Sequence, residues 1–269
     1  MARPDRPVAL ITGASAGIGA ALARSAAARG WDLVLTARRE APMKALASEL
    51  TAAHETRSSI IRCDLSAPDG AADLVGQIEN LGLRIDGLIN NAGFSRTQTF
   101  LRIPPEEHQA MLDVMLVGPI HLARALAPAM VERGFGRIIN VASLAGLLPA
   151  TGGDTLYGPI KSFLIKASAG LNLELRGTGV HVTALCPGYT WSEFHDVNGA
   201  RETVSAAYPR WLWMTADRVA EIGWSAVEAN RPRVVPGPIN ALIAGLAKLT
   251  PDGLALGLAA DHARRLDRL

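Results

Sequence analysis

Tyr157 and Lys161 stand four residues apart, and on a helix such a pair shares one face, one turn apart. A free phenol titrates near a pKa of about 10 and is a poor base at neutrality. A neighbouring ammonium favours the phenolate and lowers that value. Ser143, at the end of an apolar run, can hydrogen-bond a carbonyl or alkoxide oxygen. Proton exchange with such an oxygen is the chemistry these three residue types support together. A tyrosine and a lysine at this spacing are also a common surface pair. What favours chemistry is their place, one element after a strand that ends in serine.

A second pattern concerns phosphate. Thr12-Gly13-Ala14-Ser15-Ala16-Gly17-Ile18-Gly19 follows the apolar run Val8-Ala9-Leu10-Ile11 and precedes helix formers over residues 20–29. A strand that feeds a glycine-rich turn and then a helix presents free N–H groups and a partial positive charge. Glycines let the backbone approach a pyrophosphate with no Cβ in the way. The spacing is Gly-x3-Gly-x-Gly and not Gly-x-Gly-x-x-Gly. Alone, it is equally a tight turn without a ligand. The next strand, residues 32–37, ends at Ala37 and Arg38, with no acid before Glu40. At that place in a dinucleotide fold an acid binds a free ribose hydroxyl, whereas arginine accommodates a 2′-phosphate. NADP(H) is therefore expected over NAD(H), the other reading of Arg38 being a solvated basic loop.

The elements that must position these residues alternate along the chain. Helices are expected over residues 42–53 and 68–80, with Pro68 in a first turn. Strands are expected over 58–63 and 86–89. A long helical pattern follows over 105–133, with Gly118-Pro119 as a bend, then a strand over 136–142. The helix bearing Tyr157 and Lys161 is expected to begin near Thr155 and run to about Arg176, followed by a strand over 180–185. Thr215 caps a helix to about Asn230, and residues 234–236 read as the last strand. This order predicts an α/β fold, a doubly wound parallel Rossmann-type sheet in three layers and one domain over residues 1–269. Ligands then bind at the carboxyl ends of the strands.

The totals agree with a folded enzyme. With 49% hydrophobic and 19% charged residues in 269, the chain can bury a full core. A net charge of +2 with no basic cluster argues against nucleic acid. Cys63 and Cys186 end apolar runs and read as reduced core residues of a cytoplasmic protein. Six scattered histidines show no metal-ligand spacing, so no metal is expected. The first strand starts by Val8, leaving no room for a signal peptide, and no uninterrupted apolar run reaches the length of a membrane span.

The ordered set of Thr12 to Gly19, Asp64-Leu65, Asn90-Asn91-Ala92-Gly93, Ser143, Tyr157-Gly158-Pro159-Ile160-Lys161 and Pro187-Gly188 resembles the classical short-chain dehydrogenase/reductase family. The resemblance spans about residues 8–194. It implies Tyr157 as general acid/base, Lys161 lowering its pKa and holding the nicotinamide ribose, and Ser143 orienting the substrate oxygen. It implies Gly13, Ser15, Gly17, Ile18 and Gly19 at the pyrophosphate, Arg38 at the 2′-phosphate, and Asp64 and Leu65 at the adenine. Asn90, Ala92 and Gly93 would flank the centre of the cofactor, and Pro187, Gly188 and Thr190 the nicotinamide. Either Thr190 or Ser192 would reach the carboxamide.

Three departures from the family pattern stand out. Met115, in Asp113-Val114-Met115-Leu116-Val117-Gly118, replaces an asparagine thought to hold a water that links the lysine to solvent. A thioether is a weak acceptor and no donor, so that relay must be weakened or rerouted. Thirteen residues separate Ser143 from Tyr157, one more than usual, which Gly152-Gly153 can absorb. Pro159 falls between Tyr157 and Lys161, which a first helical turn tolerates.

Beyond Thr190 the chain turns aromatic, with Trp191, Phe194, Tyr208, Trp211, Trp213 and Met214. In this family the region, here about 190–230, is a lid, and an aromatic lid implies a bulky apolar substrate. A packed core or a subunit contact fits the same composition. Phe94, Leu144, Leu147 and Leu148 would add apolar walls. The tail, 238–269, holds two helical patterns split at Thr250-Pro251-Asp252. The first is apolar on nearly every side and suits the lid, another subunit or a membrane surface, though it lacks a basic face. The tail is similar to that of hydroxysteroid and 3-oxoacyl reductases of the family. The expectation is an NADP(H)-dependent oxidoreductase acting on a small apolar carbonyl or alcohol, as a homodimer or homotetramer pairing helices around Met111 and Ser168. The alternative, motivated by Met115, is a cofactor-binding sensor or assembly protein without turnover.

Overall fold

Side chains of the central strands leave the sheet alternately to two cores, as a strand period of two requires. In β1 (Val8–Thr12), Ala9 and Ile11 enter one core and Leu10 the other; in β2 (Asp32–Ala37), Leu33 and Leu35 enter the first and Val34 the second. Strands buried on both faces carry continuous apolar runs. The structure, a computed structural model, describes residues 6–149, 153–194 and 201–265.

One face is covered by α1 (Gly17–Ala28), α2 (Glu40–His54) and α8 (Ala216–Glu228). The other is covered by α3 (Gly70–Asn80), α4 (Pro105–Leu112), α5 (Gly118–Glu132) and α6 (Tyr157–Glu174). Together with β3 (Ser58–Arg62), β4 (Gly87–Asn90), β5 (Gly136–Val141), β6 (Val180–Leu185) and β9 (Arg233–Val234), the parallel sheet has the order β3-β2-β1-β4-β5-β6-β9. The order reverses between β1 and β4, and such a switch point opens a crevice at the carboxyl ends of the strands. Two residues each of β7 (Thr190–Trp191) and β8 (Met214–Thr215) pair outside this sheet, on either side of α7 (Arg201–Ala207). Helices α9 (Pro238–Ala247) and α10 (Asp252–Arg265) end the described chain.

Helix α1 is lined with alanine, which lets α8 approach closely. Trp224 of α8 is buried there, and its indole N–H donates to the Leu22 carbonyl at 3.0 Å. Arg29 and Ser25 of α1 both bond Glu221 of α8. Thr215 caps α8 by accepting from the Arg218 N–H at 3.3 Å, as its residue type predicts.

Several expected boundaries move. Helix α3 starts at Gly70, beyond Pro68, because the chain turns tightly there: a Cβ on Gly70 would run into the Asp64 carbonyl oxygen. The long pattern over 105–133 is divided by a π turn at Asp113–Val117, where the Gly118 N–H donates to the Asp113 carbonyl. Pro119 has no N–H to give the Met115 carbonyl, so a regular α ladder cannot pass this point. An 18-residue window of Pro105–Glu132, interrupted by charged residues, has a mean hydropathy of 1.6, long and apolar enough by composition to span a membrane; in the fold α5 packs on β4, β5 and α3. Met111 and Ser168 themselves are buried within this chain. The outward faces of the helices around them carry Ile120, Phe163 and Leu173.

Candidate active site

The glycine turn is shaped by backbone that only glycine adopts freely. Gly13 and Gly17 have φ of +66° and +56°. A Cβ on Gly13 would come within 2.8 Å of Asn91 Nδ2, and one on Gly19 would strike the Gly13 carbonyl oxygen. Ala16 provides no side-chain cap and the first turn of α1 carries no acid, so its N–H groups remain available to an anion. The turn rests on β2 through a hydrogen bond from the Ala14 N–H to the Thr36 carbonyl at 3.2 Å. Arg38 follows at the strand end, exposed and in the same cavity. Burial pushes the Asp64 carboxyl up, but hydrogen bonds from Ser66 and the charge of Arg38 bring it below the ordinary value. These residues fit a dinucleotide carrying an extra phosphate: a glycine cradle, an uncapped helix start and a cation beside it.

The cradle is braced by Asn91. Its amide donates to the Thr12 and Gly13 carbonyls at 2.9 and 3.2 Å, while the N–H groups of Asn91 and Ala92 both donate to Thr12 Oγ1 at 3.0 Å. Asn91, Ala92 and Gly93 line the cavity. Asn90 does not: strand alternation turns it into the core, where its amide donates to Asn140 Oδ1 at 2.8 Å, and Asn140 donates to Ser168. Gly19 does not line it either and serves the packing of the turn.

At the other end, Ser143, Tyr157 and Lys161 share a cavity of about 670 Å³ with the cradle. Ser143 ends β5 and caps a short 3-10 turn, accepting from the Ala145 N–H at 3.1 Å. It shares the cavity with Tyr157. Helix α6 begins at Tyr157, two residues later than expected, so Pro159 does fall in the first turn. Gly153 adopts φ of +70° in the loop before it, while Gly152 lies outside the described residues. Lys161 is buried and donates to the Val141 carbonyl at 2.8 Å, with Nζ 5.5 Å from the centre of the Tyr157 ring.

The electrostatics differ from the expectation of a phenol lowered by its lysine. Burial pushes Tyr157 well above its ordinary value; the nearby Ser143 hydroxyl opposes this and the Asp154 charge adds to it. Burial lowers Lys161 to about 8. Met115, in the π turn, lies beside Gly93, close to Lys161. A Cβ on Gly93 would lie 3.0 Å from Met115 Sδ and 3.6 Å from Lys161 Nζ, so a thioether flanks the ammonium where a polar acceptor was expected by resemblance.

Pro187, Gly188, Thr190 and Ser192 line the cavity beside Tyr157. The Pro187 carbonyl accepts from the Leu144 N–H at 2.8 Å, which ties the ends of β5 and β6 together. Thr190 Oγ1 donates to the Gly188 carbonyl at 3.0 Å. Asn240 of α9 backs Gly188, with Nδ2 2.6 Å from where a Cβ would stand. The apolar tail therefore packs its inner side on the walls of this site, through Asn240 and the 3-10 turn Leu144–Leu147. Its outward residues Ile239, Leu242 and Leu246 are exposed.

The aromatic stretch divides. Phe194 lines the cavity, its ring 5.7 Å from that of Tyr157. Trp191 and Trp213 stack on each other at 4.2 Å, and Tyr189 stacks on Tyr208 at 4.5 Å. These form a small cluster of their own, while Trp211 is exposed. Phe94, Leu144 and Leu148 line the cavity as expected, whereas Leu147 turns into the core beside Leu164 and Ala142. Sequence reasoning missed Tyr189, Arg96 and Glu107 on the wall; Arg96 and Glu107 form an ion pair there. It also missed Arg39 and Glu193, which are paired across the cavity mouth. No metal-binding group of histidine, cysteine or acidic residues occurs among the described residues.

The short chain dehydrogenase model matches residues 7–202. Sulfoacetaldehyde reductase 2 of Chromohalobacter salexigens is 31% identical over 85% of this chain and 94% of its own. A short-chain dehydrogenase from Sphingobium yanoikuyae, solved in complex with NADPH, is 31% identical with a TM-score of 0.78, over 90% of this chain and 94% of that one. The bulky-bulky ketone specific alcohol dehydrogenase from Comamonas testosteroni is 28% identical with a TM-score of 0.76, over 91% and 92%.

Proposed function

Since the chain belongs to the short-chain dehydrogenase family, we propose that it is an NADP(H)-dependent oxidoreductase that interconverts a carbonyl and a secondary alcohol on an apolar substrate. The observation that carries this reading is that Ser143, Tyr157 and buried Lys161 share one cavity with an uncapped glycine cradle. A bound nicotinamide supplies the hydride in reduction and accepts it in oxidation. Ser143 holds the substrate oxygen. Tyr157, kept neutral by burial, gives its proton to that oxygen in the reductive direction. The Lys161 charge, 5.5 Å from the ring centre, offsets the phenolate left behind. Gly13, Ser15, Gly17 and Ile18 would hold the pyrophosphate, with Gly19 behind them, and Arg38 the 2′-phosphate. Asp64 and Leu65 would face the adenine, and Ala92, Gly93, Pro187, Gly188 and Thr190 the nicotinamide half.

Phe94, Leu144, Leu148, Tyr189 and Phe194 support an apolar substrate. Arg96, a cation on that wall, is already paired with Glu107, so an anionic substrate would have to displace a carboxylate. The Comamonas alcohol dehydrogenase, of the same fold, is specific for bulky-bulky ketones, which supports a bulky ketone here. We take the working enzyme to be a cytoplasmic homodimer or homotetramer, which sedimentation velocity tests.

The test is NADPH and NADH absorbance over time against bulky hydrophobic ketones. NADPH consumption should fall by at least a hundredfold in Tyr157→Phe while NADPH binding is retained. Turnover retained in Tyr157→Phe would overturn the mechanism.

A further inference from the structure

Arg39 and Glu193 are 154 residues apart in the chain, yet Arg39 Nη2 donates to Glu193 Oε2 at 2.7 Å. The same nitrogen lies 3.3 Å from Ser15 Oγ in the glycine turn. The guanidinium is thus parked between the phosphate cradle and the segment that follows β7. That segment is close: Ser192 Cβ lies 3.0 Å from where a Cβ on Gly17 would stand. Arg38, Arg39, Ser15, Ser192 and Glu193 all line one cavity. Arg38 is the neighbour expected to meet the ribose phosphate, so Arg39 is within the same charge field.

We propose that Glu193 is a built-in competitor for the cofactor's ribose phosphate: its carboxylate holds Arg39 until the phosphate takes its place. The inference rests on the NADP(H) reading above. A carboxylate carries one negative charge and a phosphate monoester close to two, with more acceptor oxygens, so the phosphate wins the guanidinium. The free ribose hydroxyl of NADH cannot displace a carboxylate. Glu193 therefore weakens NADPH and leaves NADH untouched, and it sets how sharply the two are told apart. The pair is half-exposed on both sides, and such pairs are weak. The effect is accordingly modest, about two- to fivefold in affinity.

The test is a double-mutant cycle on dissociation constants, measured by calorimetry with NADPH, NADH and 2′,5′-ADP, with no turnover involved. Glu193→Gln should tighten NADPH and 2′,5′-ADP about threefold and leave NADH unchanged. In the Arg39→Ala background the same change should gain nothing. An equal gain with Arg39 absent would mean a general charge effect and would overturn the exchange, as would equal tightening of NADH. If the unaltered protein binds NADPH no better than NADH, the cofactor reading itself fails. A preference for NADPH that Glu193→Gln does not change fails the competitor alone.

Discussion

Lys161 Nζ donates to the Val141 carbonyl across 2.8 Å, which ties helix α6 to the end of β5, two residues before Ser143. Burial without a carboxylate partner lowers this lysine to about 8. The charged form, the one that offsets the phenolate, is lost as pH rises through that value. In the free enzyme kcat/KM should therefore fall above about pH 8. An asparagine at position 115 would offer the ammonium an acceptor where the thioether stands. In Met115→Asn the alkaline limb should move up by about one unit and turnover should rise. A pH–rate profile of both proteins checks this, and identical limbs would show that Met115 does not act on Lys161.

Ser143→Ala removes the hydroxyl that shares the cavity with Tyr157, the group proposed to hold the substrate oxygen. A loss of about 100- to 1000-fold in kcat is expected, with NADPH affinity unchanged. Steady-state kinetics beside fluorescence titration separates the two. A parallel loss of NADPH affinity would assign Ser143 to the cradle instead.

Two glycines should respond oppositely to alanine. Gly19→Ala forces a Cβ against the Gly13 carbonyl oxygen and should cost about 1–3 kcal/mol. Gly245, within α9, has nothing within 4 Å of a Cβ, so Gly245→Ala should stabilise by about 0.5–1 kcal/mol through helix propensity. Urea unfolding of both variants gives the sign directly.

Glu221 is held at about 2 by hydrogen bonds from Arg29 first and Ser25 second, joining α1 to α8. Its folded value lies below the unfolded one, so its contribution is complete above about pH 4.5 and is lost as pH falls towards 2. The carboxylate is half-exposed, which limits that contribution to about 1 kcal/mol or less. Thermal unfolding of Glu221→Gln should lie below that of the parent at pH 7 and converge with it under acid.

The sheet, its two layers and the order of the motifs were legible because β1 and β2 are mostly apolar, β6 alternates apolar with polar residues, and the intervening segments have helical length. The cradle and the Tyr157–Lys161 pair were legible because both are local in sequence. What was not legible depends on a single residue of phase or on distant partners. Asn90 and Asn91 differ by one step along a strand end, and that step sends one to Asn140 and the other to the cradle. Leu147 and Leu148 part in the same way. Composition could not divide the aromatic stretch between wall and packing, since only the fold puts Phe194 on Tyr157 and Trp191 on Trp213. Arg39 and Glu193 give no local signal at all.

The rings of Tyr189, Tyr208 and Trp213, with Leu212, form a cluster separate from the cores on the two faces of the sheet. A unit with its own small core can open without unfolding the body that carries it. Amide exchange should read this as two tiers of protection. The Met214 N–H, bonded to the Tyr189 carbonyl at 2.9 Å, belongs to the faster tier, and the Cys186 N–H, bonded to the Val234 carbonyl at the edge of the sheet, to the slower one. The Tyr189 side of the cavity would then be a separately melting piece, and the sheet beside Ser143 would keep its geometry through each opening.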